Sequence, residues 1–582
     1  MRIYKFILFV SLASIFWYSC KESGIPNNED FIVSARITRD PSFLFPSKST
    51  ATVETQINQY LFLTLANYDP YKLELIPILL KEIPTAVRIE EGAFSGTLRF
   101  DCQIKGDAVW DNGAPVTGYD YLFSVKLFKI EGLKMNPSIK SLFKEMIDVE
   151  IDPSDPQKFS IYVDQAFHLS KELALIAELM PEYIYDPDQI FRKYDLDKGA
   201  VISPIFSSGD SLILQKTIDF LNHADCGRKV IVGSGPYQFE DWQTNQFVSL
   251  VKKKNYWGEN YPDNPYLSAN PDKLVFAVYP DENAAITALR NGALDVISTV
   301  NGYDYKKMQE DDRVNERFTF FNPPQLKYYF IGLNNHSELL KDVRVRKALA
   351  HLIDINAFIE NHEQGYGARV PGPIVPARRY FNDTLKLIEF DPESAKSILA
   401  EAGWTDTNNN GILDKIIEGK RRELTLKTYI TGKILSRNLA LILKEESAKA
   451  GVEIEIITKE AQLIKQEITN RNFDLFPTGT VYGPYPEDLY QSWHSSNDYM
   501  GGSNKYGYNN AEADETMEKI RNSGDQKQIE HLYRRIQEII YKDQAFIFLY
   551  APTNNIIINN KFKASVTYTK GGYLLNLFEK SN

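Results

Sequence analysis

Apolar residues recur along this chain with two different periods, and each switch between them marks an element. "DKLVFAVYP" (272–280) is a continuous apolar run that predicts a buried strand. "DENAAITALRNG" follows, with Asp281 as a helix cap and Gly292 as its stop, and "ALDVIS" (293–298) returns as a strand. Strand, helix and strand at this spacing predict a βαβ unit and a sheet containing parallel pairs. Further on, "FDPESAKSILAEAG" sets Asp391 as a cap, Pro392 at the first helical position and Gly403 past the end. Its Ala395, Ile398, Leu399 and Ala402 share one face. "ILSRNLALILKEESAKAG" gathers Leu435, Leu439, Ile442 and Leu443 ahead of Gly451, and "VEIEII" then alternates as a strand. A late amphipathic helix is written by Ile529, Leu532, Tyr533, Ile536, Ile539 and Ile540, with the strand "QAFIFLY" behind it. Helices and strands are interleaved and no internal repeat is visible, so the chain reads as α/β or α+β. Its 582 residues exceed one compact core and predict two or three domains.

Composition narrows the class. Hydrophobic residues make up 43% and charged residues 25%, as in soluble globular proteins. A net charge of −11 argues against a nucleic-acid partner, which would need a basic face. The 34 Tyr and 33 Phe are a modest excess, and most of them serve sheet faces and cores. The amino terminus is more specific. Arg2 and Lys5 precede a mostly apolar run from Phe6 to Phe16, the pattern of an export signal. The run is shorter than the roughly 20 residues that cross a bilayer. It ends in "WYSC", and a Ser–Cys pair here resembles the lipobox of bacterial lipoproteins, with Trp17 where that motif usually has Leu. This resemblance implies a signal over 1–19, lipid modification of Cys20, a polar tether over 20–30 and folded structure from about Phe31. Acyl chains would then be the membrane anchor.

Motifs of chemistry are sparse. There is no GxSxG elbow, P-loop, Rossmann fingerprint or zincin motif, and no His pair is spaced as metal ligands. No cofactor is indicated. Cys102 and Cys226 either pair in an oxidising compartment or sit apart as small buried groups, and their spacing leaves both open. In "DTNNNGILDK", Asp406, Asn408, Asn410, Gly411 and Asp414 match calcium-loop positions 1, 3, 5, 6 and 9. Ile417 stands where the bidentate Glu belongs, so a polar turn is the better reading of this stretch.

A series of segments carries a resemblance across nearly the whole chain. It comprises "YDP" with "LELIPILL" (68–80), "GDAVWDNGAPVTGYDYLFSVKL" (106–127) and "VGSGPYQFEDWQTNQFVSLVKKKNYWG" (232–258). "YYFIGLNN" (328–335) and "KDVRVRKALAHLIDINAFIE" (341–360) complete it. In this order they resemble the extracytoplasmic solute-binding proteins of ABC importers, in the oligopeptide/dipeptide/nickel-binding family. The resemblance implies an α/β, two-lobed periplasmic-binding-protein type II fold with an inserted third domain. Lobe I would be discontinuous (31–55, 216–327 and 553–582), the inserted domain would be 56–215, and lobe II would be 328–552. "YYFIGLNN" and "FIFLYAPTNN" would be the crossing strands.

The family also directs attention to "GTVYGPYPEDLYQSW" (479–493). Peptide-binding relatives commonly read Asp-Tyr-Pro-Asp at this place, and the first Asp neutralises the peptide's α-ammonium. Here the matching residues are Pro484, Tyr485, Pro486 and Glu487. Proline offers neither charge nor a side-chain hydrogen bond. The loop alone therefore predicts that blocking a peptide's amino terminus costs little. Glu487 or Asp488 from a shifted register is the alternative. Candidate ligand contacts are Arg39, Tyr328, Tyr329, Tyr482, Gly483, Tyr485, Glu487 and Trp493. One of the adjacent strand residues Tyr328 and Tyr329 must face away from any cleft.

The function this implies is a lipid-anchored binding protein of the cell envelope. It would capture a peptide or oligosaccharide by lobe closure and deliver it unchanged to an ABC permease. The rival readings are a surface-tethered glycan hydrolase, which would need two cleft carboxylates about 5–9.5 Å apart, and a surface glycan-capture lipoprotein.

Overall fold

The computed structural model describes residues 31–581 apart from 47, 49–51, 131, 136–139, 141–142, 165–168, 194–195 and 197–207. The signal, the tether and Cys20 lie outside the described residues. Two large sheets form the two lobes. The first has seven strands in the spatial order Phe318–Phe321, Ile556–Asn559, Val296–Ile297, Ile32–Ile37, Lys273–Val278, Phe247–Lys252 and Tyr237–Gln243. Ile32–Ile37 pairs in parallel with both Lys273–Val278 and Val296–Ile297. Between those two flanking strands runs the helix Glu282–Arg290. This is the βαβ unit expected from the apolar periodicity. Asp281 caps the helix by accepting from the Ala284 amide at 2.8 Å, and Gly292 follows at φ +78°.

The second sheet has six strands, ordered Gly367–Arg369, Phe546–Pro552, Lys327–Leu333, Leu475–Val481, Thr425–Ile430 and Glu453–Thr458. The helix Ile434–Lys449 joins the parallel pair Thr425–Ile430 and Glu453–Thr458 in a second βαβ unit. On one face lies a core of residues such as Ile331, Val345, Leu399 and Leu443, and on the other a core of Tyr328, Phe330, Tyr533 and Ile536. The alternation of a strand accounts for both cores. The helix Pro392–Glu401 is held by Asp391, which accepts from the Ser394 amide at 2.9 Å. The "VRVRKAL" helix, Val343–Ala350, buries Arg346, whose guanidinium donates to the carbonyls of Leu340, Asp543 and Gln544.

A third, four-stranded sheet (Ala86–Arg88, Thr97–Gln103, Lys158–Asp164, Met146–Ile151) lies between the first strand of the seven-stranded sheet and the rest of it in sequence. Its Phe100, Ile161 and Val163 belong to the same continuous apolar core as Val33, Leu250 and Leu274. The Gly-Ser-Gly-Pro-Tyr turn shows why glycine is needed in this body. A Cβ at Gly233 or Gly235 would overlap the carbonyls of Leu61 and Tyr60 at the end of the helix Thr52–Leu61. Cys102 and Cys226 are buried free thiols, which settles the alternative left open by their spacing.

The chain crosses between the two large sheets after Phe318–Phe321 and again after Phe546–Pro552. The crossings are bonded to each other. Gln325 donates its amide to Pro552 O at 3.0 Å, Asn554 donates to Pro323 O at 2.8 Å, and Asn322 Nδ2 donates to Asn555 Oδ1 at 2.8 Å.

Candidate ligand-binding site

A cavity of about 450 Å³ opens between the two lobes, within the range of small-molecule sites. One wall comes from the helix Thr52–Leu61 and the segment after it (Gln59, Phe62, Asn67, Asp69), with Glu178, Tyr266 and the late residues Tyr568 and Lys570. The opposite wall is Leu326 and the loop Val481–Tyr485. A second cavity of about 310 Å³, lined among others by Tyr68, Leu73, Arg378 and Pro486, shares Tyr68 and Leu73 with the first.

The loop wall is fixed by a buried arginine. Arg378 Nη1 donates to Pro484 O at 2.7 Å, and Nη2 donates to Gly483 O and Tyr485 O, each at 2.7 Å. Its Nε donates to Glu487 Oε1 at 2.7 Å. Tyr380 donates its hydroxyl to the other Glu487 oxygen, and Tyr533 donates to the Glu487 carbonyl at 2.6 Å. Pro484 and Pro486 have no amide hydrogens, so the local backbone cannot close these carbonyls into a regular element. The guanidinium fork supplies the donors instead. Tyr482 is tied at both ends, its amide to Leu326 O at 2.7 Å and its hydroxyl to Pro373 O at 2.8 Å. Burial drives the Tyr482 phenol far above its ordinary range, so it remains a neutral donor.

The other wall is different. Glu178 sits beside Leu179, whose amide donates to Leu63 O at 2.9 Å, so the backbone of this stretch is anchored. Its carboxylate forms no hydrogen bond or ion pair with the described residues. Burial pushes this carboxyl up to about 7, with the Lys570 charge pulling partly against it. Burial likewise lowers the Lys570 ammonium, and Glu178 opposes that shift. Asp69 also lines the cavity, but its Oδ1 accepts from the amides of Tyr71 and Lys72, each at 2.8 Å.

A profile of the bacterial extracellular solute-binding proteins, family 5 (middle region), matches residues 94–501. The chain belongs to this family. Among curated relatives of this family 5 chain, the oligopeptide-binding protein AppA of Bacillus subtilis is 32% identical over 340 residues, 58% of this chain and 59% of the relative. Heme-binding protein A of Haemophilus influenzae is 26% identical over 317 residues, 54% of each chain. The nickel-binding periplasmic protein of Escherichia coli is 24% identical over 278 residues, 47% of this chain and 50% of the relative. These matches span about half to three-fifths of the relatives' lengths. The solved structure of Bacillus subtilis AppA with a nonapeptide aligns at a TM-score of 0.65 and 23% identity, covering 95% of this chain and 99% of that one. HbpA2 from Haemophilus parasuis aligns at 0.72 and 18% identity, covering 95% and 100%. These alignments establish the two-lobed type II periplasmic-binding-protein fold. The names of the curated relatives are those of binding proteins.

Within this family 5 chain, the residues singled out from the sequence fall in different places. Tyr482, Gly483 and Tyr485 line the cavity. Tyr328 does not, because it lies beneath Tyr482 with ring centroids 5.8 Å apart, inside the core that also holds Phe548. Tyr329 faces the other side of the sheet, against Tyr550 at 5.2 Å and under the Lys327 ammonium at 4.2 Å. Glu487 is turned into the protein by Arg378, and Trp493 is buried against Phe546 at 4.4 Å. Asp488, the shifted-register alternative, caps the helix Leu489–Trp493 and pairs with Arg521 at 2.5 Å. Arg39 is half-exposed and bound to Glu54 at 2.6 Å, outside the cavity wall. In the calcium-like loop, Asp414 accepts from Thr407 and pairs with Arg421 at 3.0 Å, while Asp406 accepts from the amides of Asn410 and Gly411. Among the described residues no group of three or more His, Cys, Asp or Glu side chains converges as a metal site.

Sequence reasoning passed over Arg378, Glu178 and Lys570. The signal for Glu178 is a single charge inside "LALIAELMP", an otherwise apolar run. Arg378 is one of two adjacent arginines, and nothing local distinguishes it from the surface residue Arg379.

Proposed function

We propose that this family 5 protein captures a small solute in the cavity between its lobes and hands it, unaltered, to an ABC transporter permease. The observation that carries this reading is the cavity itself. It is closed on one side by a clamped aromatic loop and on the other by a wall from a different lobe, with two mutually bonded crossings between the lobes. A ligand touching both walls favours the shut form by contacts that exist only when shut. The name of the 32%-identical relative favours a peptide, and the aromatic lining also suits an oligosaccharide. In this reading Cys20 carries the lipid that holds the protein to a membrane of the cell envelope, facing the periplasm or the cell surface. Among the described residues, no helix is long and apolar enough to cross a bilayer.

The division into lobe I (31–55, 216–327, 553–582), inserted domain (56–215) and lobe II (328–552) is part of the proposal. Its cut at 552/553 lies at a crossing and that at 327/328 one residue into the strand Lys327–Leu333, whereas 55/56 and 215/216 fall inside the helices Thr52–Leu61 and Ser208–Asn222. The inserted sheet shares the core of the seven-stranded one, which supports two moving bodies rather than three in this reading.

Thermal unfolding with tetrapeptide and oligosaccharide pools tests the reading, together with solution scattering. At about 100 times its Kd a cognate solute adds about 2.7 kcal/mol of stability. Scattering should show compaction, and mass spectrometry should recover the solute intact. Release of a cleaved product would establish the hydrolase reading instead.

A further inference from the structure

The two walls of the cavity differ in where carboxylate chemistry is available. On the loop wall, Pro484 brings no charge, and Glu487 and Asp488 are held by Arg378 and Arg521. On the other wall, Asp69 caps a turn. Glu178 lines the cavity, is half-buried, and has no hydrogen bond or contact ion pair among the described residues; the charge that acts on it is that of Lys570, on the same wall. The Lys570 charge offsets only part of the desolvation of Glu178, so an ionised carboxylate here stays costly until a cation makes direct contact with it. Around the same space lie the rings of Tyr68, Tyr266, Tyr482, Tyr485 and Tyr568, whose faces attract cations.

We propose that Glu178 anchors an ammonium group of the solute, such as the free amino terminus of a short peptide, in place of a carboxylate on the 482–487 loop. This rests on the reading of the cavity as a solute site and reverses the expectation drawn from Pro484 alone. The amine stays protonated and forms a charge-assisted hydrogen bond to the carboxylate, with no covalent step. Because Glu178 titrates near neutrality, binding a cation drives its proton off. The other titratable groups facing the cavity are Tyr68, Asp69, Tyr266, Tyr482, Tyr485, Tyr568 and Lys570. Burial holds the phenols of Tyr68, Tyr266, Tyr482 and Tyr485 above their ordinary range, away from neutral pH.

The test is calorimetric titration of the full-length protein at pH 7 with an equimolar pool of random tetrapeptides, and with the same pool acetylated at the amino terminus. The free pool should bind about tenfold tighter or more. Glu178→Gln should erase that difference while binding the acetylated pool like the parent. The heat for the free pool should vary with the ionisation enthalpy of the buffer, showing proton release, a readout of the unmutated protein that holds even if the variant folds poorly. Equal affinity for both pools, no proton release, or a preference retained in Glu178→Gln would overturn the assignment while leaving the solute-binding reading intact. Binding of neither pool, with an oligosaccharide bound instead, would overturn the assignment together with the peptide reading.

Discussion

The two walls of the interlobe cavity solve opposite physical problems. On the Tyr482–Tyr485 side, three backbone carbonyls, one carboxylate and one guanidinium satisfy one another inside the protein. On the Glu178 side, a half-buried carboxyl has no hydrogen bond or contact ion pair among the described residues and feels the Lys570 charge only through space. The first wall is shape without charge, and it presents Tyr485 and the loop backbone as a rigid surface. The second holds a carboxyl whose charge Lys570 answers only in part. The comparison teaches that a carboxylate near a binding loop in sequence need not face the ligand, since Glu487 is only 3% exposed.

The sharpest way to break this contrast is to empty the clamp. Arg378→Met leaves Glu487 buried without its counter-charge, and we expect a loss of about 3–5 kcal/mol in chemical unfolding. A loss below about 1 kcal/mol would mean that the loop is held by packing rather than by the guanidinium. Next is the pH dependence of the unliganded protein. The Glu178 carboxyl rises from an ordinary 4.5 to about 7, so the folded state holds that proton more tightly than the unfolded chain. Its contribution is full below about pH 4.5 and is lost as pH climbs to about 7, on the order of 3 kcal/mol at most. Relative to Glu178→Gln, the parent protein should therefore weaken between pH 5 and pH 8 in thermal melts. An unchanged difference would place Glu178 in contact with water. Third, Pro484→Asp restores a carboxylate to the loop. With the ammonium held at Glu178, the ratio of free to acetylated peptide affinity should move by less than about threefold. The smallest effect belongs to the Glu74–Arg379 pair, which spans the two sides of the cleft at 3.6 Å with both side chains about half exposed. Glu74→Gln should change stability by less than about 1 kcal/mol.

How much of this could be read in advance follows from the range of the interactions. The caps at Asp281 and Asp391 and the apolar faces of their helices are local patterns, visible within a dozen residues. The late helix was equally legible, although its length Gln526–Asp543 also buries Gln537, which no apolar period announces. Gln537 is there because it donates to Tyr380 O and accepts from the Asn382 amide, partners more than 150 residues away. The site divides the same way. The proline and tyrosine content of the 482–487 loop marked a stiff aromatic wall. The inward turn of Glu487 depends on Arg378, 109 positions distant, and the exposure of Glu178 to the cavity depends on the crossing of two lobes. Arg39 is a candidate ligand contact on sequence, yet Glu54, in the first turn of the helix Thr52–Leu61, engages it.

The continuous core beneath the seven- and four-stranded sheets has a mechanical consequence. Under the proposed lobe closure, fluorescent dyes placed on those two sheets would keep a constant separation whatever the protein holds, whereas a dye on the six-stranded sheet would report the opening and closing. Glu178 would ride with the former and Tyr485 with the latter, so a guest that bridges them converts a local charge contact into the swing of half the molecule.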